Sequence, residues 1–215
     1  MTARAALVGS HSMVSDPEGP TPGSERLIRS ISNAIEGVRP SGSDTGARMP
    51  RSPRIDFEGA WHHVMNRGAR RAEVFSGPDD CRLFIASMAK ASCRYAVEIH
   101  AYCLLGNHYH LLVRSRDGRL SEFMRLATAR FTRMTNLRDA GDGPLFRGRF
   151  TSKLINSEPH LLECSRYIHL NPVRAALVAN PEDWTWSSAR AYLGLDRPAD
   201  WLITGELLAM FGRDD

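Results

Sequence analysis

Lysine is all but missing from this chain. Of its 28 basic residues only Lys90 and Lys153 are lysines, and the other 26 are arginines. Cysteine is scarce as well. Cys81, Cys93, Cys103 and Cys164 never fall as a C-x-x-C pair, which argues against a zinc knuckle or a disulfide framework and points to a reducing, cytoplasmic setting. No stretch approaches the roughly 18 consecutive apolar residues of a membrane span. The opening run, MTARAALVGSHSM, holds too few apolar residues together for a signal peptide. A strong charge excess is also lacking: the formal net charge is +4. Affinity for a polyanion therefore has to be argued from where the charges sit. Arginine's planar fork suits bidentate phosphate contacts; a GC-rich coding bias gives the same Arg/Lys ratio.

With 215 residues, 42% of them hydrophobic, the chain has material for one domain with tails. Residues 1–48 are rich in Ser, Gly and Pro and are expected to be disordered. They carry five arginines against five acidic residues, so the positive surplus lies in the remainder, 23 against 19. Patterning begins near Met49, itself a candidate initiator, and marks a domain over 49–179. Residues 180–215, mixed and rich in tryptophan, are expected to form a short cap.

Within the patterned region AWHHVMNR (60–67) reads as a first strand with a turn at Gly68. A helix follows, with Ser76 as N-cap, Pro78 in its first turn and Asp79 and Asp80 suited to its dipole. Cys81, Phe84, Ile85, Met88 and Ala91 form its apolar stripe. AVEIHAYCLL (96–105) alternates, which predicts Val97, Ile99, Ala101, Cys103 and Leu105 on one face. Gly106-Asn107 is a hairpin signal, and 108–115 is the returning strand. A second helix is predicted with Ser121 as N-cap and an apolar face of Phe123, Leu126, Ala127, Phe131 and Met134. After a loop at 139–144 come a fourth strand over 147–156 and a third helix, opened by Ser157, Glu158 and Pro159 and ending near Leu170. This order predicts an α+β, ferredoxin-like split βαβ (βαββαβ) fold: an antiparallel sheet with helices on one face plus an added C-terminal helix, the other face left open.

GNHYHLLV (106–113) places His108 and His110 at i and i+2, on one face of a strand, with Cα atoms roughly 6.5–7 Å apart. Two such imidazoles suit one cation, or are simply polar residues on a wet sheet face. A metal site needs a further ligand and room for substrate. The third helix offers a polar line, His160, Glu163, Tyr167 and Asn171, at i, i+3 and i+4 spacings. That line also fits an ordinary solvated helix face. His63 reads as a packed or hydrogen-bonded sheet histidine, and His11, His62, His100 and His169 as structural or surface residues.

HHVMNRG (62–68), LLGNHYHLLV (104–113), PLFRGRF (144–150) and RYIHLNPVRAALV (166–178), in that order, resemble the HUH single-tyrosine transposases. The likeness is greatest to the REP-associated tyrosine transposases, and it spans about residues 60 to 178. The resemblance implies a single-stranded DNA transposase and endonuclease that cuts and rejoins DNA at hairpin-forming repeats. It implies that His108 and His110 bind a divalent metal, Mg²⁺ or Mn²⁺, that Asn171 is the third ligand, and that Tyr167 is the nucleophile, held on a 5′ phosphate in the intermediate. Tyr109 is excluded from that role, because strand parity turns it away from the histidines. The chemistry suits the residue types: a cation offsets charge on an anionic phosphodiester, and a phenolate is a fair leaving group, so attack is reversible. Members of the superfamily work as monomers or as homodimers with composite sites.

For DNA contact the expected residues are Arg67, Arg125, Arg130, Arg133, Phe146, Arg147, Arg149 and Phe150, which put aromatics beside guanidiniums. Arg70, Arg71 and Arg138 lie nearby in sequence. A non-catalytic single-stranded nucleic-acid-binding module on the same sheet explains the arginines but not the pairing of His108 and His110 with Tyr167 and Asn171. A hydrolytic metalloenzyme unrelated to DNA lacks an obvious general base beyond Glu163.

Overall fold

The computed structural model describes residues 55–212; the expected disordered tail and Met49 lie outside the described residues. Four antiparallel strands, β1 (Ala60–Arg67), β2 (Val97–Leu105), β3 (His108–Ser115) and β4 (Thr151–Ile155), form one sheet in the order β2-β3-β1-β4. The two central strands are therefore the two that carry the histidine pairs. Helices α1 (Pro78–Tyr95) and α2 (Leu120–Arg138) pack on one face, where Phe84, Met88, Phe123 and Phe131 meet Tyr109, Leu111 and Val113 of β3. The expected βαββαβ arrangement is the one observed.

The second face is not open. The added helix, α3 (Glu158–Arg174), covers it, burying Leu161, Cys164 and Ile168 against Ala101, Cys103 and Leu112. An apolar residue on both faces of β3 required this: Leu112 shares the histidine face and has to be shielded from water. Only one end of this face stays accessible.

Alternation along β2 breaks midway. Ile99 pairs with Val113 and Ala101 with Leu112, so His100 is an extra residue, a β-bulge. Val97 and Ile99 thus face the α1/α2 core, while Ala101, Cys103 and Leu105 face α3. The uniform face expected for these five residues is corrected accordingly: one inserted residue inverts parity.

Two of the three expected helix caps differ as well. The residue preceding α1 is Gly77, and Ser76 instead donates its backbone N–H to Asp80 Oδ2 at 2.9 Å. Ser121 lies inside α2, whose Leu120 N–H is capped by Asp56 Oδ2 at 2.8 Å. Ser157 does precede α3, which continues through Pro172 to Arg174, past the expected end at Leu170. The fourth strand is shorter than expected because the chain leaves the ladder at Gly148, whose φ of 147° is open to glycine.

Residues 184–203 lie along the free edge of β2, within the C-terminal segment 181–211. That segment includes α4 (Ala189–Tyr192) and α5 (Gly205–Phe211). Leu104 N–H donates to Trp186 O at 2.8 Å and Ile203 N–H to Ile99 O at 2.9 Å, while Trp184 Nε1 donates to Leu104 O at 2.9 Å. Tyr192 Oη donates to the carbonyl of His100 at 2.7 Å. An edge strand that would offer unpaired backbone groups is closed by the chain's own end.

Candidate functional site

At the uncovered end of the sheet, β1, β3 and α3 converge with the 147–151 segment around a cleft of about 570 Å³. β3 contributes His108 and His110. α3 contributes Tyr167 and Asn171, one helical turn apart. Arg67, Arg147 and Arg149 line the rim, with Met65, Asn66 and Thr151 completing the wall. The imidazoles of His108 and His110 have centroids 5.2 Å apart, and the Tyr167 ring stands edge-on to His110 at 5.6 Å. His160 and Glu163, on the same helical stripe, do not line the cleft.

Each imidazole is oriented by a neighbour. His108 Nδ1 lies 2.7 Å from Asn107 Oδ1 and donates to it, which leaves the Nε2 lone pair available. His110 Nδ1 lies 2.9 Å from His63 Nε2. In the tautomer where His110 Nδ1 donates to His63 Nε2, the Nε2 of His110 is also left as an acceptor. Strand parity alone could not reveal this role of His63. It requires the β1–β3 register, in which Met65 faces His110, so that the same-face residue two positions earlier reaches the ring.

Burial keeps these rings neutral. Desolvation, then the neighbouring His63, His108 and Arg67, lowers His110 to about 3. Desolvation and Arg67 lower His108 to about 4. His63 falls to about 4 through desolvation, Lys153 and His160. Neutral imidazoles with free lone pairs are the form that ligates a cation.

Asn171 is buried, and its Nδ2 donates to the Tyr167 carbonyl at 3.2 Å, so Oδ1 is not spent on that bond. Tyr167, by contrast, is 37% exposed, and Arg174 stacks over its ring at 5.2 Å. Tyr109 is fully buried in the opposite core, where desolvation pushes its phenol far up, in keeping with its exclusion as nucleophile.

The residues expected to touch DNA divide into groups. Arg67, Arg147 and Arg149 line the histidine cleft. Arg125, Arg133, Arg149 and Phe150 line a second cavity between α2 and the 144–150 segment. Arg130 lines neither. Phe146 lines that second cavity too, but it is only 6% exposed and its ring packs on Phe84, Tyr109 and Phe131 of the core.

A different cluster, Glu98, His100 and Glu206, brings its ligand atoms within 4.8 Å of one another and has the residue types that hold a metal ion. Its carboxylates are already paired: Arg116 reaches Glu98 at 3.4 Å and Arg114 reaches Glu206 at 3.3 Å. It also sits at the bulge and α5, away from Tyr167.

The family model described as IS200-like transposase matches residues 57–171, which take in all four strands and every residue of the histidine cleft. A curated relative from Haemophilus influenzae, named for REP-associated tyrosine transposase, is 28% identical over 128 residues, 54% of this chain and 73% of its own. A solved structure described as a REP-associated tyrosine transposase bound to a REP hairpin has a similar fold. Its TM-score is 0.57 at 22% identity, over 73% of this chain and 96% of that one.

Proposed function

From the premise that the chain belongs to the IS200-like transposase family, we propose that it cuts and rejoins single-stranded DNA at hairpin-forming repeats. In this reading Tyr167 is the nucleophile, and His108, His110 and Asn171 hold a divalent metal. The observation that carries it is the convergence of these four side chains with three arginines on one cleft of a single chain. A protein that only binds nucleic acid has no need of two neutral, oriented imidazoles beside an accessible phenol.

Two imidazole nitrogens and an amide oxygen suit Mg²⁺ or Mn²⁺. When bound there, such an ion supplies positive charge to a non-bridging phosphate oxygen. The protein's own groups do the rest. Arg67, Arg147 and Arg149 hold the phosphate backbone across the cleft. Tyr167 Oη attacks phosphorus, its proton is released, and the bond to the 3′ oxygen breaks. That oxygen takes up a proton and leaves as a 3′ hydroxyl, while the 5′ phosphate stays on the tyrosine. Attack by another 3′ hydroxyl reverses each step, restores the phenol and joins the strands. The transposase name of the H. influenzae relative and the hairpin in the solved structure support the choice of DNA. The single-chain convergence favours a site that works in a monomer.

The test is incubation with hairpin oligonucleotides and Mn²⁺, resolved on a denaturing gel. A covalent protein–DNA band is expected from the native protein and none from Tyr167→Phe. If no band forms with any hairpin repeat under any divalent metal, the catalytic reading gives way to a binding module.

A further inference from the structure

His100 is the residue that the β2 bulge inserts, and it is completely buried. Neither ring nitrogen makes a hydrogen bond of normal geometry, although the Ile203 backbone approaches the ring. The Trp61 ring closes one side, with centroids 4.2 Å apart. Glu98 turns its Oε2 to 3.7 Å from His100 Nε2, and that oxygen is also buried without a hydrogen bond. Glu206, in the first turn of α5, completes a set whose ligand atoms all lie within 4.8 Å of one another. A buried imidazole and a buried carboxylate oxygen that face each other unbonded need a physical reason. Direct pairing would draw them to about 2.7–2.9 Å. Two atoms that each ligate one zinc ion from about 2.1 Å stand about 3.4 Å apart at the tetrahedral angle, nearer to the gap seen.

The arginines do not fill this gap. Arg116 meets the other oxygen of Glu98, Oε1, at 3.4 Å. Arg114 meets Glu206 through a single nitrogen, at 3.3 Å and 3.5 Å to its two oxygens. Contacts of that length are looser than close charge-assisted bonds, and the Arg116 side chain is half exposed, free to turn into water.

We infer that Glu98, His100 and Glu206 form a second metal site, separate from the histidine cleft, and that it takes Zn²⁺. One imidazole with two carboxylates is a zinc donor set, whereas Mg²⁺ and Ca²⁺ favour oxygen ligands throughout. His100 Nε2 supplies a lone pair, each glutamate supplies one oxygen, and water takes the fourth position, since both glutamates reach the surface. The ion joins the β2 bulge to α5. It thereby clasps the C-terminal segment to the strand edge, where Ile203 N–H already donates to Ile99 O. The site stands or falls apart from the DNA chemistry proposed for Tyr167.

The test uses full-length protein stripped of metal, given Zn²⁺ alone and followed by hydrogen exchange read peptide by peptide. At saturating zinc, exchange over 97–101 and 202–207 is expected to slow tenfold or more. Zinc held by the histidine cleft registers elsewhere, at 108–110 and 167–171, so one experiment separates the two sites. Glu206→Gln keeps a hydrogen-bonding partner for Arg114 but removes the carboxylate. In that variant the slowing over 97–101 and 202–207 is expected to vanish, while any slowing at the cleft persists. Mg²⁺ at the same concentration is expected to leave 97–101 and 202–207 unchanged. No slowing there in the native protein, equal slowing in folded Glu206→Gln, or equal slowing by Mg²⁺ overturns the inference. Should Glu206→Gln not fold, anomalous diffraction at the zinc edge from crystals of the native protein grown with Zn²⁺ decides. A peak between Glu98 Oε2 and His100 Nε2 is expected; zinc found only elsewhere overturns the site.

Discussion

At the scale of single residues, His63 ties the site together. Its Nε2 is 2.9 Å from His110 Nδ1, and its ring stands edge-on to Tyr167 at 5.8 Å. A group that fixes the tautomer of a ligating imidazole is typically worth 10–100-fold in metal affinity. His63→Ala is therefore expected to weaken Mn²⁺ binding by about that factor, read by calorimetric titration, with the fold unchanged by circular dichroism. Native affinity in that variant would mean that His63 merely fills space. His108 and His110 were legible in the sequence because period-two parity is a local property of a strand. Tyr167 and Asn171 were visible only as one stripe among several polar helix faces, and it took the motif resemblance to single them out. His63 was not legible, since its partner lies 47 positions away and depends on strand register.

Among the elements, Asp56 shows why boundaries were harder to read than elements. One carboxylate oxygen accepts the first N–H of α2, and the other meets His62 Nε2 at 3.1 Å. Loss of a helix cap costs roughly 0.5–2 kcal/mol. Asp56→Ala is expected to lose at least the upper part of that range, because it also removes a partner of a buried imidazole; urea denaturation would measure it. A change below a few tenths of a kcal/mol would show that another group takes over the cap. Ser121 was the natural sequence candidate, yet the cap comes from 64 residues upstream. The β2 bulge escaped for a similar reason. Alternation in 97–105 is apolar on both sides, so nothing local shows the extra residue, and parity is settled only by pairing with β3. Strand order, helix order and the four-stranded sheet followed from periodicity and turn residues, which are local.

Across the whole molecule, buried imidazoles couple folding to acid. His63, His100 and His108 are lowered to about 4, and His110 and His169 to about 3, in each case chiefly by desolvation. Unfolded, they titrate near their ordinary 6.5. Below that pH the unfolded chain takes up protons that the folded chain refuses, so stability falls as pH drops from about 6.5 and stops falling below about 3. Each such group costs up to ~1.4 kcal/mol per pH unit. The urea midpoint of metal-free protein is expected to hold steady between pH 7 and 8 and to fall steeply from pH 6 to 4; a flat profile would contradict the burial of these rings. The arginine rim makes a second global prediction. DNA affinity is expected to fall linearly in log–log terms with salt, and Arg147→Ala to reduce that slope by about 1. A sheet covered on both faces was not legible, because an amphipathic third helix looks the same whether it docks on the sheet or stands beside it. Finally, since β2 is sealed by residues 184–203, a nascent chain still lacking them presents an open strand edge as it leaves the ribosome. Premature stop codons late in the gene are thus expected to yield aggregates and not partly working enzyme, even though every group of the histidine cleft has by then been translated.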